Sequence, residues 1–303
     1  MRVAGIDCGT NSLRLLVSDV EGDSKTDVHR EMRVVRLGQD VDRTGELAPE
    51  ALERTRLALL DYAAVLRDLG VQRTRMVATS ATRDAANREV FVAMVTEILG
   101  IAPEVVTGQE EAALSFDGAT RDLDPADGPF LVIDIGGGST EFVLGTDAVE
   151  ASHSIDVGCV RLTERHLASD PPTAAEQAAA VADVDAGLAR VRAVVPVERA
   201  RTSVWLAGSA TTIAATALGL PAYDPTAVHL ARLPASAMTG ACDALVAATR
   251  VERAALGFMH PGRVDVIGAG ALVLRTLVER LGVSELVVSE ADILDGIVWS
   301  AAR

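Results

Sequence analysis

Two stretches of this chain combine carboxylates, glycines and hydroxyls at spacings that suit phosphate and a divalent cation. One, Phe130 to Leu144, reads F-L-V-I-D-I-G-G-G-S-T-E-F-V-L. Gly136, Gly137 and Gly138 carry no Cβ and can take positive φ, so their backbone N–H groups can close on an anion. Ser139 and Thr140 add hydroxyls. Asp134 enters the turn and Glu141 leaves it, which gathers two carboxylates beside an anion site. Like charges in that position call for a cation, and Mg²⁺ with oxygen ligands and bound phosphate meets the need. The other stretch, Val3 to Val17, reads V-A-G-I-D-C-G-T-N-S-L-R-L-L-V. A shift of 127 positions lays Asp7 on Asp134, Gly9 on Gly136, Ser12 on Ser139 and Arg14 on Glu141. Gly9, Thr10, Asn11 and Ser12 thus form a second phosphate-binding candidate. Asp7 is expected to assist the metal, and Arg14 to clamp phosphate where the other copy has an anion.

The elements that position these groups follow from the apolar runs around them. Runs bounded by glycine predict a buried strand on each side of each tip, so both stretches are hairpins. Repetition at this distance is too long for a solenoid and predicts two similar α/β domains facing each other across a cleft. The boundary is expected in the acidic, proline-containing segment 122–128, giving domains 1–124 and 125–303. Further strands are expected over 28–37, 76–79, 104–106, 153–157, 204–207 and 285–288. Helices are expected from Pro49 to near Gly70, through Phe91 to Leu99, from Thr173 to about Val194, and over 236–248, 264–281 and 293–300. Strand and helix alternate throughout.

Three strand-to-helix junctions carry more polar chemistry. The first runs into Ser80-Ala81-Thr82-Arg83, where Arg83 can act as a cationic clamp. Another runs into Gly208 and Ser209, a further phosphate-binding candidate. At the third, Thr107 and Glu110 form a capping box. Glu111 lies about 100° further round that helix, outside the cap, and is the carboxylate left for chemistry. Arg161 either lines a polyanion path or faces solvent. Cys8 packs under the first turn, and His260 sits in a loop.

Composition excludes several classes. The chain has 303 residues, 49% hydrophobic and 3% aromatic, with a net charge of −15. So negative a surface argues against general nucleic-acid binding, which needs clustered Lys and Arg. Lys25 is the only lysine. Its expected place in a polar loop removes a Walker-type phosphate loop and a Schiff-base lysine together. Cys8, Cys159 and Cys242 are far apart and fit a reduced cytoplasm better than disulfides or zinc. No signal peptide or long apolar run is legible, so no membrane partner is expected.

These residues carry a family likeness. Asp7-x-Gly-Thr-Asn-Ser and Asp134-Ile-Gly-Gly-Gly-Ser-Thr-Glu, with Gly208-Ser209 and Gly268-Ala269-Gly270, resemble the actin, sugar kinase and Hsp70 superfamily. Asn11-Ser12, Thr79 to Arg83, Gly108 to Ala112, Gly158 to Glu164, Glu252-Arg253 and Arg263 to Ile267 narrow the resemblance to the exopolyphosphatase and guanosine pentaphosphate phosphohydrolase (Ppx/GppA) family. The motifs span nearly the whole chain in the expected order.

That resemblance implies two ribonuclease H-like (actin-like ATPase) domains and a Mg²⁺-dependent release of terminal orthophosphate from inorganic polyphosphate. Hydrolysis of pppGpp to ppGpp is the alternative within the same chemistry. It implies Glu111 as the catalytic base that orients and deprotonates water, beside Arg83, and a homodimer. An ATP-dependent sugar or acetate kinase, with its nucleotide against Gly208, or a sensor in which Glu111 is dispensable, are the rival classes. Longer members carry an additional helical C-terminal region, so a preference for short polyphosphate is expected here. Where many members read A-L-R-E-G, this chain reads Asp292-Ile293-Leu294-Asp295-Gly296, which removes an arginine from that segment.

Overall fold

A computed structural model describes all residues, 1–303, and divides into two compact units. The first comprises 1–118 with 292–303, the second 119–291. In the first, β1 (Arg2–Cys8), β2 (Ser12–Glu21) and β3 (Ser24–Val34) form an antiparallel meander. Strands β4 (Arg73–Ala78) and β5 (Glu104–Val105) join in parallel beside β1, in the order β3-β2-β1-β4-β5. The helices here are α1 (Val41–Thr44), α2 (Pro49–Asp68), α3 (Ser80–Asp84), α4 (Arg88–Leu99) and α5 (Gly108–Thr120).

The second unit repeats the plan. Strands β6 (Phe130–Ile135), β7 (Thr140–Gly145) and β8 (Val149–Ile155) form the meander, followed by α6 (Cys159–His166) and α7 (Ala174–Arg192). Strand β9 (Thr202–Leu206) lies parallel to β6 and leads into α8 (Ala207–Ala217) and α9 (Pro225–Val228). Then come β10 (Ala231–Pro234), α10 (Ala235–Ala247), α11 (Arg250–Ala254), α12 (Ile267–Leu281) and β11 (Glu285–Val288). Strand β11 runs parallel to β9, β10 closes the edge antiparallel, and the order is β10-β11-β9-β6-β7-β8. Three antiparallel strands followed by a parallel pair is the ribonuclease H-like arrangement, present twice.

The first sheet shows why the chain must double back. Ala4, Ile6 and Cys8 of β1 and Leu13, Leu15 and Val17 of β2 pack with Leu59 and Tyr62 of α2 and Phe91 and Val95 of α4. Side chains alternate between faces along a strand, so Val3, Leu16 and Val20 point the other way. They meet Leu294, Val298 and Trp299 of α13 (Ile293–Ala301). Gly5 permits that approach, since a Cβ there would lie 3.0–3.2 Å from Val298, Ile297 and the Leu294 carbonyl. Two more glycines let α5 and α13 cross closely. A Cβ at Gly118 would lie 1.9 Å from the Asp292 carbonyl oxygen, and one at Gly296 would lie 2.0 Å from that of Leu114.

Residues 292–303 therefore belong to the first unit, not to the domain 125–303 expected from chain order, and the division falls at 118/119. The reason is packing. All residues from Ile293 to Trp299 are buried, and the sheet of the first unit has a second apolar face to cover. Leu294 is part of that contact at 1% exposure, worth about 1.5–3 kcal/mol for a fully buried leucine.

Other differences are local. Strand β3 begins at Ser24, ahead of the apolar residues that mark it in sequence, because it is an edge strand whose residues are mostly exposed or half-buried. Lys25 accordingly lies within β3, its Nζ 2.6 Å from Asp27 and 2.8 Å from the buried Asp295. The short elements β10, α9 and α11 have no periodicity long enough to announce them.

Candidate active site

The two polar turns share one backbone. Gly9 N–H donates to the Ser12 carbonyl at 3.0 Å, and Gly136 N–H to that of Ser139 at 3.0 Å. Asp7 stands opposite Arg14 in the first ladder, and Asp134 opposite Glu141 in the second. The 127-residue offset thus holds in register as well as in sequence. In both, the turn carbonyls are tied to the segment after the third strand, a loop after β3 and the first residues of α6 after β8. Asn11 O accepts from Val35 and Arg36 at 3.1 and 2.8 Å, and Thr10 O from Gly38 at 2.8 Å. Gly136 O accepts from Cys159 at 3.0 Å, and Gly137 O from Val160 and Arg161 at 2.9 and 3.1 Å. Engaging the carbonyls in this way leaves N–H groups as the polar face that an anion can meet.

Gly136, Gly137 and Gly138 are not among the positive-φ glycines, contrary to expectation. Close approach is what this region requires. A Cβ on Gly158, at the start of α6, would lie 2.4 Å from the Gly137 carbonyl oxygen and 2.6 Å from the Gly138 nitrogen. Half-buried Arg161 donates from Nε to the Gly138 carbonyl at 2.8 Å and so braces the turn.

The charges differ between the copies. In the first, Arg14 Nε and Nη2 donate to Asp7 Oδ2 at 2.9 and 2.6 Å, and Nη1 donates to Asp292 Oδ2. Burial pushes the Asp7 carboxyl up from its ordinary value while Arg14 opposes that shift. Two carboxylates hold the Arg14 guanidinium well above the ordinary arginine value against the cost of its burial. At these distances we assign an ionised pair. Arg14, expected as a phosphate clamp, is engaged by two carboxylates. Asp7 Oδ1 is buried without a hydrogen-bond partner.

In the second copy, two buried carboxylates are cross-strand neighbours, Asp134 at 7% and Glu141 at 1% exposure. Ser154 on β8 donates to Glu141 Oε1 at 2.8 Å. No group of three or more His, Cys, Asp or Glu side chains comes together to hold a metal. A carboxylate pair beside an anion-binding turn nevertheless fits Mg²⁺, which takes one or two carboxylates and completes its shell with phosphate oxygens and water. The partnerless oxygen of Asp7 is a donor of the same hard type.

The remaining candidates divide between open and structural positions. Arg83 Nη1 donates to Glu111 Oε2 at 3.1 Å and to the Val106 carbonyl at 3.0 Å, so these two site candidates meet. Glu111 is 8% exposed near the start of α5, where its N–H donates to the Thr107 carbonyl at 2.9 Å. Glu110 instead receives the Thr107 N–H at 2.8 Å and hydroxyl at 2.9 Å, which lower its pKa. Thr10 and Ser80 hydroxyls meet at 2.9 Å.

Thr140 gives its hydroxyl hydrogen to the Val157 carbonyl at 2.6 Å, so it has none for phosphate. Ser209 is buried against Gly270 and partners the Cys159 thiol. Gly208 is required by Arg263, whose guanidinium would lie 1.6 Å from a Cβ there and whose Nη1 donates to Thr212 at 3.2 Å. Burial raises the Cys8 thiol pKa, with the charge of Asp7 adding to it, which leaves the thiol inert. His260 caps a short turn, its Nδ1 accepting from Gly262 N–H at 3.1 Å.

Sequence reasoning missed Asp292, Ser154 and Ser80. Each touches a candidate through a long-range contact. Ser80 and Asp292 lie in motifs singled out in the sequence, Ser80 three residues before Arg83 and Asp292 where many members have alanine, but neither motif announces the contact.

Duplicated ribonuclease H-like units, each with a glycine turn between its first two strands, define the actin-like class of phosphate-handling proteins. Within that class, residues 16–303 match the Ppx/GppA phosphatase family, and the chain belongs to it. It is 54% identical over 314 residues to exopolyphosphatase 2 of Mycobacterium tuberculosis, covering 99% of this chain and 98% of that one. Among solved structures, an exopolyphosphatase-like protein is 43% identical with a TM-score of 0.95, covering 99% and 98%. The Aquifex aeolicus Ppx/GppA family member is 30% identical with a TM-score of 0.84, covering 100% and 97%.

Proposed function

We infer that this chain is an exopolyphosphatase, releasing terminal orthophosphate from inorganic polyphosphate by attack of water. The observation that carries this is the buried cross-strand pair Asp134 and Glu141 on either side of an anion-binding glycine turn. The 54% identity to a full-length exopolyphosphatase supports it.

The roles we propose draw on the geometry within each unit and on the family resemblance. Backbone N–H groups of Gly9 to Ser12 and Gly136 to Gly138, with the Ser12 and Ser139 hydroxyls, hold phosphate oxygens. Glu111 takes a proton from water as its oxygen attacks the terminal phosphorus, and the bridging P–O bond breaks in line to leave a chain shorter by one phosphate. Arg83 holds the Glu111 carboxylate and adds positive charge near the transferring group. In the second unit Asp134 and Glu141 would hold Mg²⁺, which would neutralise charge developing on phosphate oxygens; Asp7 on the first turn is a further carboxylate candidate for a cation. We further propose a homodimer in a reducing cytoplasm, to which the three free thiols are suited; light scattering of the purified protein tests the dimer.

Phosphate release from short polyphosphate, long polyphosphate, pppGpp and ATP, each with and without Mg²⁺, tests the activity. The expected result is Mg²⁺-dependent release from polyphosphate, faster on short chains. Release from pppGpp alone would overturn the substrate, and ADP formation that requires an added sugar would overturn the reaction class.

A further inference from the structure

We propose that Asp292 is a positioning residue, acting through Arg14 to hold the Asp7 carboxylate of the first turn in place for a cation; the cation's identity rests on the function inferred above. Asp292 does two things at once where the chain returns to the first unit. Its Oδ1 accepts from Leu294 N–H at 2.9 Å and caps α13. Its Oδ2 accepts from Arg14 Nη1, while Arg14 Nε and Nη2 both hold Asp7 Oδ2 at 2.9 and 2.6 Å. All three guanidinium nitrogens are therefore engaged by two carboxylates from opposite ends of the chain.

Two consequences follow. Asp7 is fixed through one oxygen only, and its Oδ1 is left buried and unpartnered. Two carboxylates around one guanidinium also leave one surplus negative charge in a nearly buried network, which a bound cation offsets. Without Asp292 the Asp7–Arg14 pair would be neutral, and Arg14 Nη1 would be released to turn toward an anion. Asp292 thus keeps Arg14 as the holder of Asp7 and biases the first turn toward a divalent cation. A carboxylate held by a rigid second partner is the usual device for tuning a metal ligand.

Asp292→Asn separates the two jobs, because asparagine caps a helix about as well as aspartate but carries no charge to hold Arg14. Mn²⁺ titration of the substrate-free protein, the Mg²⁺ dependence of phosphate release, thermal stability and the Arg14 ¹⁵Nε signal are measured together. The expected Asn variant melts as the wild type does and binds Mn²⁺ about tenfold more weakly, the lower end for loss of such a partner. Its KM for polyphosphate is unchanged, and saturating Mg²⁺ restores turnover. Asp295→Asn, which removes the charge paired with Lys25 and Arg30 at the same cap without touching Arg14, lowers stability and leaves Mn²⁺ affinity intact.

Equal Mn²⁺ affinity in Asp292→Asn and wild type overturns the proposal, as does equal weakening in Asp295→Asn. In metal-free protein the Arg14 ¹⁵Nε proton should exchange faster in Asp292→Asn. An unchanged rate overturns the positioning role, whereas a wild type that binds no Mn²⁺ overturns the metal reading.

Discussion

The two glycine turns have the same ladder register and the same turn hydrogen bond, yet opposite electrostatics. Across the strand from the entering aspartate, the first turn has Arg14 and the second has Glu141. In the first turn an arginine answers the entering aspartate across the strands, whereas in the second that aspartate faces another carboxylate. Duplication supplied the backbone, and a single cross-strand position decides what each copy can bind. The loops that brace the turns differ too. After β3, Gly38 packs on the Thr10 side-chain methyl, whereas after β8, Gly158 packs on bare backbone of the triple glycine.

If that contrast is right, Glu141→Gln should weaken Mn²⁺ binding by more than about 100-fold, beyond the loss typical of a supporting residue, and Asp7→Asn should cost about tenfold. Equal losses in a titration would erase the distinction between the turns. Glu111→Ala should lower kcat by about 10²-fold or more if it is the general base, while Glu110→Ala should lower only the melting temperature. A phosphate-release assay giving the reverse pattern would exchange their roles.

The bracing loops supply a smaller effect. Gly158→Ala should destabilise the protein by about 1–3 kcal/mol, the usual scale of overpacking. Gly38→Ala should cost less, because a methyl group can move where a carbonyl cannot. Denaturant melts of the two variants rank them, and an innocuous Gly158→Ala would mean the triple glycine can shift.

Smallest is a pH effect on the capping boxes, Thr107–Glu110 in the first unit and Thr173–Glu176 in the second. Glu176 is held down to about 2 by N–H and hydroxyl donors from Thr173 and Ser169. A depressed folded-state pKa means stability that is present above the ordinary glutamate value of 4.5 and lost as pH falls toward 2. The difference in melting temperature between wild type and Glu176→Gln should therefore shrink across that window, and more than for Glu110→Gln. A constant difference would show the cap to be charge-independent.

Much of the site was legible because it is local. A strand, a glycine turn and a strand fit within fifteen residues, and the capping boxes at Thr107 and Thr173 within four. The second partner of Arg14 was hidden for the opposite reason. Its charge and register were readable, but its second carboxylate lies 278 positions away. The partners of Thr140 and Ser209 were hidden likewise: a hydroxyl looks available in sequence, and only packing reveals the Val157 carbonyl or the Cys159 thiol beside it.

What the sequence determined on its own is the family, the duplicated hairpin and the identity of the residues at each turn, since alternation, glycine placement and capping are short-range rules. Tertiary structure decided which neighbours engage those residues, and that the last helix covers the first sheet. The physical reason is that apolar faces and buried charges are satisfied by whatever lies nearest in space, which for α13 and Asp292 is the opposite end of the chain.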